Sequence, residues 1–383
     1  MKFLISIFLC ITTSLLAFSQ GHHTIKGKLL QRSDSSPVFN AHIYFDKTAI
    51  GTTTNEDGFF VFHFLESEKQ PFIHISSIGY KPDSISINEF HNKPLTIFID
   101  EDKLFLSEVV VSPIDPENIL KKAIKNLEQN YPKEKISKTI YYKESVKQNG
   151  NPIRLLEVVA KIISDGFSDS RQKPEKYDIF IDQKRPGFNY DTTFAGANGI
   201  GVLHSLLWTE AFLNKRKLKK HMISYEGKSY FRNHEVNKIS ITKAGNKHAS
   251  TTMYIKVDDF AIVAISQNFK NPKRDRPDSK QNFRFLASDL YVDFIMLEDG
   301  YWYIHTIDDI RESISQDGTI TKITRSIRTT SVEKVPDSNE KNRIKKETDL
   351  YSYPVKYDPE FWGQYNAPVE TKDELRVKKE SKE

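Results

Sequence analysis

Four short spacings in this chain of 383 residues bring together residue types that do chemistry. His63-Phe64-Leu65-Glu66 has the His-x-x-Glu spacing of a metal-hydrolase pair, which also needs a distant second His and an open coordination position. The four residues lie in a strand-like run, however, where positions three apart point to opposite faces. They cannot grip one ion without a bend. His234-Glu235 opens like His-Glu-x-x-His but continues Val236-Asn237-Lys238, so the second ligand is missing. Ser331-Val332-Glu333-Lys334 has the Ser-x-x-Lys spacing of an acylating serine, but at a strand-to-loop position rather than a helix start. Gly196-Ala197-Asn198-Gly199-Ile200-Gly201 has the outline of a dinucleotide loop. It follows the polar stretch from Phe188 to Thr193 rather than the buried apolar strand that such a loop requires. No Gly-x-Ser-x-Gly elbow or Walker loop occurs. The sequence thus assigns no catalytic, cofactor-binding or metal-binding residue, and no cofactor is expected.

The N-terminus sets the compartment. Lys2 precedes an apolar stretch from Phe3 to Leu16, and small or polar residues (Ala17, Phe18, Ser19, Gln20) follow it. This is the order of a secretory signal, and the apolar part is short for a membrane span. Residues 1–20 are read as the signal peptide. Cys10, the one cysteine, lies inside the apolar stretch and leaves with it. The mature chain would then have no disulfide, thiolate metal site or cysteine nucleophile, and its folds would hold by core burial alone. Lys2 is also the one charged residue removed, so the net charge falls from +5 to +4. So even a balance, in an exported chain, does not point to nucleic acid. The 17 Tyr and 25 Phe against 4 Met favour strands.

Residues 22–112 alternate with period two in short runs: Thr24 to Leu29, Ala41 to Phe45, Phe59 to Leu65, Phe72 to Ser76, Ser84 to Ile87 and Leu95 to Ile99. Turn residues separate them, among them Asp57-Gly58, a strong hairpin signal. The pattern predicts a β-sandwich of about seven strands. Gly51-Thr52-Thr53-Thr54-Asn55-Glu56-Asp57-Gly58-Phe59-Phe60, followed by Ile75-Ser76-Ser77-Ile78-Gly79-Tyr80, resembles the carboxypeptidase-regulatory-like domain. That resemblance implies a transthyretin-like sandwich and carries no catalytic residue. Leu106 to Val111 resembles the strand that closes this domain in envelope proteins of Bacteroidota.

Residues 115–370 read as a mixed α+β domain on one large curved antiparallel sheet. Asp115 can cap a helix, Pro116 suits its first turn, and Ile119, Leu120, Ala123, Ile124 and Leu127 recur at three and four. Strand patterns follow at Thr139–Val146, Arg154–Ile163, Tyr177–Ile181 and Ser229–Ile241. Hairpins are then expected at Asp258-Asp259, Glu298-Asp299-Gly300 and Asp317-Gly318. Charges along these strands (Lys143, Glu144, Glu157, Asp293, Asp308, Asp309) do not suit the lipid face of a membrane barrel. A second helix is expected over Leu203, Leu206, Leu207, Phe212 and Leu213, ending in the basic run 215–220. Such an end suits the helix dipole, or alternatively a lid that meets anionic headgroups. Residues 371–383 read as a charged tail. The order helix, meander, helix resembles the lipoprotein-carrier half-barrels.

Together these features predict a non-enzymatic, mainly β binding or scaffold protein, exported to the periplasm or the outer-membrane-associated envelope. The mature chain is expected to have no transmembrane helix, with peripheral membrane contact as an option. Its second domain would hold an apolar ligand or a partner segment between aromatic strands (Tyr141, Tyr142, Phe283, Phe285, Tyr291, Phe294, Tyr301, Trp302, Tyr303) and covering helices. Two alternatives stand beside this reading. One is an accessory to a TonB-dependent outer-membrane uptake system, and the other is a hydrolase whose triad is assembled in space. Intact-mass measurement on envelope-fraction protein is expected to show cleavage near Gln20; a retained Met1 would mean an anchor instead.

Overall fold

The computed structural model describes residues 21–90, 93–102, 114–164, 166, 178–190, 221–243, 248–273, 275–277, 282–335, 343–344 and 348–380. The first unit has strands β1 (His22–Gln31), β2 (His42–Tyr44), β3 (Gly51–Thr53), β4 (Phe59–Leu65), β5 (Phe72–Ser76), β6 (Asp83–Ser86) and β7 (Leu95–Ile99). They form a three-stranded sheet in the order β4-β1-β7 and a four-stranded sheet in the order β3-β2-β5-β6. Alternation in β4 turns Phe60, Phe62 and Phe64 inward, where Phe62 and Phe64 meet Phe45 edge-on at centroid distances of 5.0 and 5.1 Å. Leu29, Ile43, Ile73, Ile75, Ile97 and Ile99 complete this core from both sheets. The expected turn at Asp57-Gly58 forms. Asn55 accepts the backbone N–H groups of Asp57 and Phe59, and Gly58 takes a φ of 79°. A side chain at Gly58 would also strike the Leu29 carbonyl at 2.5 Å.

Two helices follow, α1 (Pro116–Lys125) and α2 (Leu127–Asn130), with Asp115 accepting from the amides of Glu117 and Asn118 at the start. The second unit then adds β8 (Ile136–Gln148), β9 (Asn151–Ser164), β10 (Asp178–Asn189), β11 (His221–Phe231), β12 (His234–Lys243), β13 (Ala249–Lys256), β14 (Ile262–Lys270), β15 (Phe283–Met296), β16 (Trp302–Ser315) and β17 (Ile320–Lys334). All ten join one curved antiparallel sheet, in the order β10-β9-β8-β17-β16-β15-β14-β13-β12-β11. It does not close on itself, so the expected fold class holds. The three hairpins expected at 258–259, 298–300 and 317–318 are β13/β14, β15/β16 and β16/β17.

The run Ser229–Ile241, read as one strand, is instead a hairpin that turns at Arg232 and Asn233, where φ is 45° and 64°. The sequence lacks the glycine that announces such a turn, and Asn233 supplies the tolerance for positive φ. The charged tail is also different in part. Lys372–Glu380 is helix α4, preceded by the short helix α3 (Pro359–Gln364). The segment 196–220, with its glycine loop and expected helix, lies outside the described residues, as does 106–111.

Both faces of the large sheet are covered. On the inner face Tyr142, Val158, Ile239, Ile255, Phe294, Trp302 and Ile327 pack with Leu120, Ala123, Leu127 and Tyr131 of the helical segment. On the outer face Tyr141 and Val159 meet Trp362 and Ala367, and Leu155 and Phe188 meet Val377. Successive strand residues point to opposite faces, so Tyr141 and Tyr142 serve different cores, each with no exposed surface. Beside them Glu157 is 1% exposed and accepts from Tyr141 (2.6 Å), Arg185 (3.2 Å) and Lys378 of α4 (3.2 Å). Lys143 and Glu374 pair at 2.8 Å nearby.

Burial works to raise the Glu157 carboxyl, but Lys143, Arg185, Lys378 and the Tyr141 hydroxyl outweigh it and hold it below its ordinary value of 4.5. A carboxyl lowered in the folded state adds stability above that ordinary value and loses it as pH falls through the folded value. Glu157→Gln is therefore expected to cost about 3 kcal/mol at neutral pH, because it strands buried cations. It should also flatten the acid limb of the stability curve; denaturant unfolding from neutral to acid pH checks both.

Candidate functional site at the junction of the two units

Polar side chains meet where β2 of the sandwich lies against β15 and β16 of the large sheet. Alternation in β15 turns Tyr291 and Asp293 toward the sandwich, while Val292 belongs to the inner core. In β16 the register slips between the Asp293–Thr306 and Phe294–Ile304 pairs and leaves His305 unpaired as a bulge. A bulge re-aims its side chain. Ile304 and Ile307 stay in the inner core, and His305 and Thr306 join Asp293.

His42 of β2 comes from the other unit, with Nε2 at 2.9 Å from Asp293 Oδ2. Its ring lies 5.0 Å from that of His305. His305 Nδ1 is 3.3 Å from Asp293 Oδ1. Arg232, in the positive-φ turn, reaches Asp293 Oδ1 at 3.4 Å and donates to His305 Nδ1 at 2.9 Å, which assigns the ring proton to Nε2. The guanidinium also stacks 4.4 Å from the centre of the Tyr44 ring. Asp293 has no exposed surface, and His42, His305 and Arg232 are all buried.

Burial works to raise the Asp293 carboxyl, but the two imidazoles and Arg232 outweigh it and hold it well below the ordinary carboxylate value. His42 is lowered by burial in spite of Asp293, and burial together with Arg232 takes His305 down to about 3. At neutral pH the cluster therefore holds one carboxylate, one guanidinium and two uncharged imidazoles. Thr306 adds a hydroxyl 3.2 Å from His305 Nδ1, which completes the residue types of a hydroxyl–imidazole–carboxylate relay. Thr306 has no exposed surface, however, and the same Nδ1 already takes the Arg232 proton, so a substrate has no approach in this arrangement. Two imidazoles and a carboxylate are also metal donors, and one ligand atom from each lies within 4.8 Å of the others.

A second contact ties the units beside the first. Asn40 bridges Asp308 and Arg328, Arg328 donates to Asp308 at 2.9 Å, and Ser326 donates to Asp308 at 2.7 Å. Farther along, the Asn366 amide pairs with both the N–H and the C=O of His63, at 2.7 and 2.8 Å. Between these ties lies a cleft with about 70 Å³ open to water. Asn55 and Glu56 line it from the sandwich, Ser145, Lys147, Lys322 and Thr324 from β8 and β17, and Thr371 from the C-terminal segment. Lys147 and Lys322 stand directly opposite each other across the two strands. Among the described residues neither forms an ion pair.

The residues singled out by spacing do not converge. His63 Nδ1 lies 2.9 Å from the Thr24 hydroxyl, whereas Glu66 contacts His23. His234 packs edge-on to Trp302, and Glu235 pairs with Lys228 at 3.0 Å. Ser331 and Lys334 lie within β17.

Residues 25–111 match the CarboxypepD_reg-like domain. That match describes a regulatory-like module and agrees with the resemblance carried by the Gly51–Phe60 motif. Among curated proteins, no sequence matches this one. Solved structures overlap the chain at low identity. A DUF1329 family protein from Desulfovibrio piger is 13% identical, with a TM-score of 0.25, over 56% of this chain and 93% of its own. An outer-membrane lipoprotein-sorting protein domain from Vibrio parahaemolyticus is 11% identical, with a TM-score of 0.27, over 59% and 96%. A LolA superfamily protein from Nitrosomonas europaea is 11% identical, with a TM-score of 0.23, over 58% and 96%. Among the described residues no helix is long and apolar enough to cross a membrane.

The junction predicts strong coupling between its two charged members. Arg232→Met and Asp293→Leu are each expected to cost about 3 kcal/mol or more, since each leaves a buried charge alone. The double variant should cost about 2 kcal/mol less than the sum. A double-mutant cycle by denaturant unfolding measures this, and additive costs would mean that the two charges do not depend on each other.

Proposed function

We propose that this chain is a non-enzymatic binding protein of the bacterial cell envelope. In this reading the regulatory-like sandwich and the open sheet act as one body, and an anionic segment of a partner protein lies in the cleft between them. The observation that carries this reading is the Lys147–Lys322 pair. Like charges directly opposite on neighbouring strands repel; Glu312, opposite Lys322 on β16, offsets one of them, and Lys147 forms no ion pair among the described residues. A carboxylate-bearing ligand would supply the missing charge, with Ser145, Thr324 and Asn55 as hydrogen-bonding neighbours.

The apolar-ligand reading rests on the inner face, whose aromatic side chains already occupy one another. Tyr142, Trp302 and Phe294 are at most 2% exposed, and Tyr131 packs against Phe294 at 5.3 Å. A fatty chain would have to displace these contacts, so the weight of the geometry moves to the cleft.

The test is fluorescence anisotropy of the mature protein with labelled Asp/Glu-rich peptides, set beside titration with a fluorescent fatty acid. Saturable, salt-sensitive peptide binding is expected, weakened about tenfold or more by Lys147→Glu together with Lys322→Glu. Lys147→Thr alone should weaken binding while raising unliganded stability by about 0.5 kcal/mol. Fatty-acid binding that ignores both changes, with no peptide binding, would overturn this reading in favour of an inner-face carrier.

A further inference from the structure

Two histidines open β1, next to the point where the signal is expected to end. Removal of residues 1–20 makes Gly21 the first residue and His23 the third. An amine, two backbone amides and an imidazole in that order can close three fused rings around one metal ion. The amine and amide nitrogens give two five-membered rings, and Nδ1 of His23 closes a six-membered one. Cleavage one bond earlier, after Ser19, would place His22 third behind Gln20, so the histidine pair serves either terminus.

The fold prepares the His23 side of this arrangement. Glu66 accepts from Nε2 of His23, which leaves the lone pair of the uncharged ring on Nδ1, the nitrogen that the six-membered ring uses. The imidazole stacks on Phe64 at 5.2 Å and reaches back over Gly21, where a Cβ would stand 3.8 Å from Nε2. The strand end is open to solvent: the His23 side chain is 40% exposed, and β7 joins β1 only from Gly27 onward. His23 pairs with Phe64, and the Gly21 carbonyl accepts from the Glu66 amide at 2.8 Å. Closing the rings therefore disturbs only the last contacts of the ladder.

We propose that the mature chain binds one copper(II) ion through the Gly21 amine, the His22 and His23 amide nitrogens and Nδ1 of His23. Four nitrogens in a plane suit copper(II) first and nickel(II) second. Zinc prefers a tetrahedral shell, so it should not compete for this one. The ammonium loses one proton and each amide loses one, so about three protons leave near neutral pH. The dipositive ion and the two amide anions then form a neutral unit. His22 contributes its backbone alone. The site rests on the export and processing of the chain and is independent of the cleft between the two units.

The test uses the mature full chain, released from a fusion so that Gly21 is first. Copper(II) titration is expected to reach one equivalent with the d–d band of a planar four-nitrogen site, unchanged by excess zinc. His23→Ala should lose that band, whereas His22→Ala and His63→Ala should keep it. This separates the chelate from a site built of the three imidazoles that line the groove beside β1. Two residues added ahead of Gly21 should also abolish the band with no side chain changed and with wild-type circular dichroism. Retention of the band by His23→Ala or by the extended chain would overturn the chelate. So would its loss in His22→Ala or His63→Ala, release of fewer than two protons per copper, or no copper binding by the Gly21 chain. N-terminal sequencing of envelope-fraction protein gives the natural terminus, expected at Gly21 or Gln20. Any other terminus would overturn the site in the cell, and that failure is distinct from a failure of the Gly21 chain to bind copper.

Discussion

A carboxylate with no exposed surface constrains how the two units meet. Isolated in an apolar interior, the Asp293 charge would cost several kcal/mol, so partners must surround it. The large sheet supplies Arg232 and His305, and the sandwich supplies His42. Each comes at a local cost. Arg232 adopts a positive φ that a non-glycine residue seldom takes, and His305 interrupts the β16 ladder. Backbone irregularity on two strands thus converges on one buried atom pair, which is the expected pattern where surroundings over-determine a strained conformation.

The same logic runs across the rest of the sheet. An open ten-stranded sheet with apolar residues on both faces must be covered on both. Helices α1 and α2 cover part of the inner face, and the outer face is shared between the sandwich and the C-terminal segment. Wherever a cover meets the sheet, ionic groups are buried with it: Glu157 with Arg185 and Lys378, and Asp308 with Asn40 and Arg328. Glu144 with Arg154 and Arg325 is a third network, on the inner face. Buried ion pairs add little net stability over apolar packing, but a misplaced cover would leave charges alone and lose much more. Their contribution is to register. They select one docking of each cover over neighbouring alternatives that would bury the same apolar area.

Much of the architecture was legible because it rests on local rules. Period-two alternation placed Phe60, Phe62 and Phe64 inward, Asp-Gly pairs marked turns, and Asp115-Pro116 marked a helix start. The hairpin at Arg232-Asn233 was not legible, because its turn lacks glycine and its strain is sustained by a contact with Asp293, 61 residues away. Helix α4 was hidden by its charge, since Glu374 and Lys378 look like solvated residues until Lys143 and Glu157 are placed beneath them. The junction is not legible for a related reason. Asp293 and Asp308 stand in the sequence as charges within strands, which speaks against a lipid face. A charge inside an otherwise apolar strand run is equally a sign of a buried partner. His42, between Ala41 and Ile43, carries the same signal, and His305, beside Ile304, a weaker one, but nothing in one sequence shows that positions 42, 293 and 305 meet.

The coupling of the two units bears on what a regulatory-like sandwich contributes to such a chain. A sandwich tethered by a flexible linker would sample many orientations, and a ligand touching both units would have to fix one of them on binding. Here the orientation is set in advance by the Asp293 cluster, the Asn40–Asp308–Arg328 bridge and the Asn366–His63 pairing, which lie at separate points along the shared surface. The cleft between them is therefore preorganised. In the proposed reading its wall keeps Lys147 opposite Lys322 for a ligand, and the ordering cost of recognition would be met during folding rather than during binding.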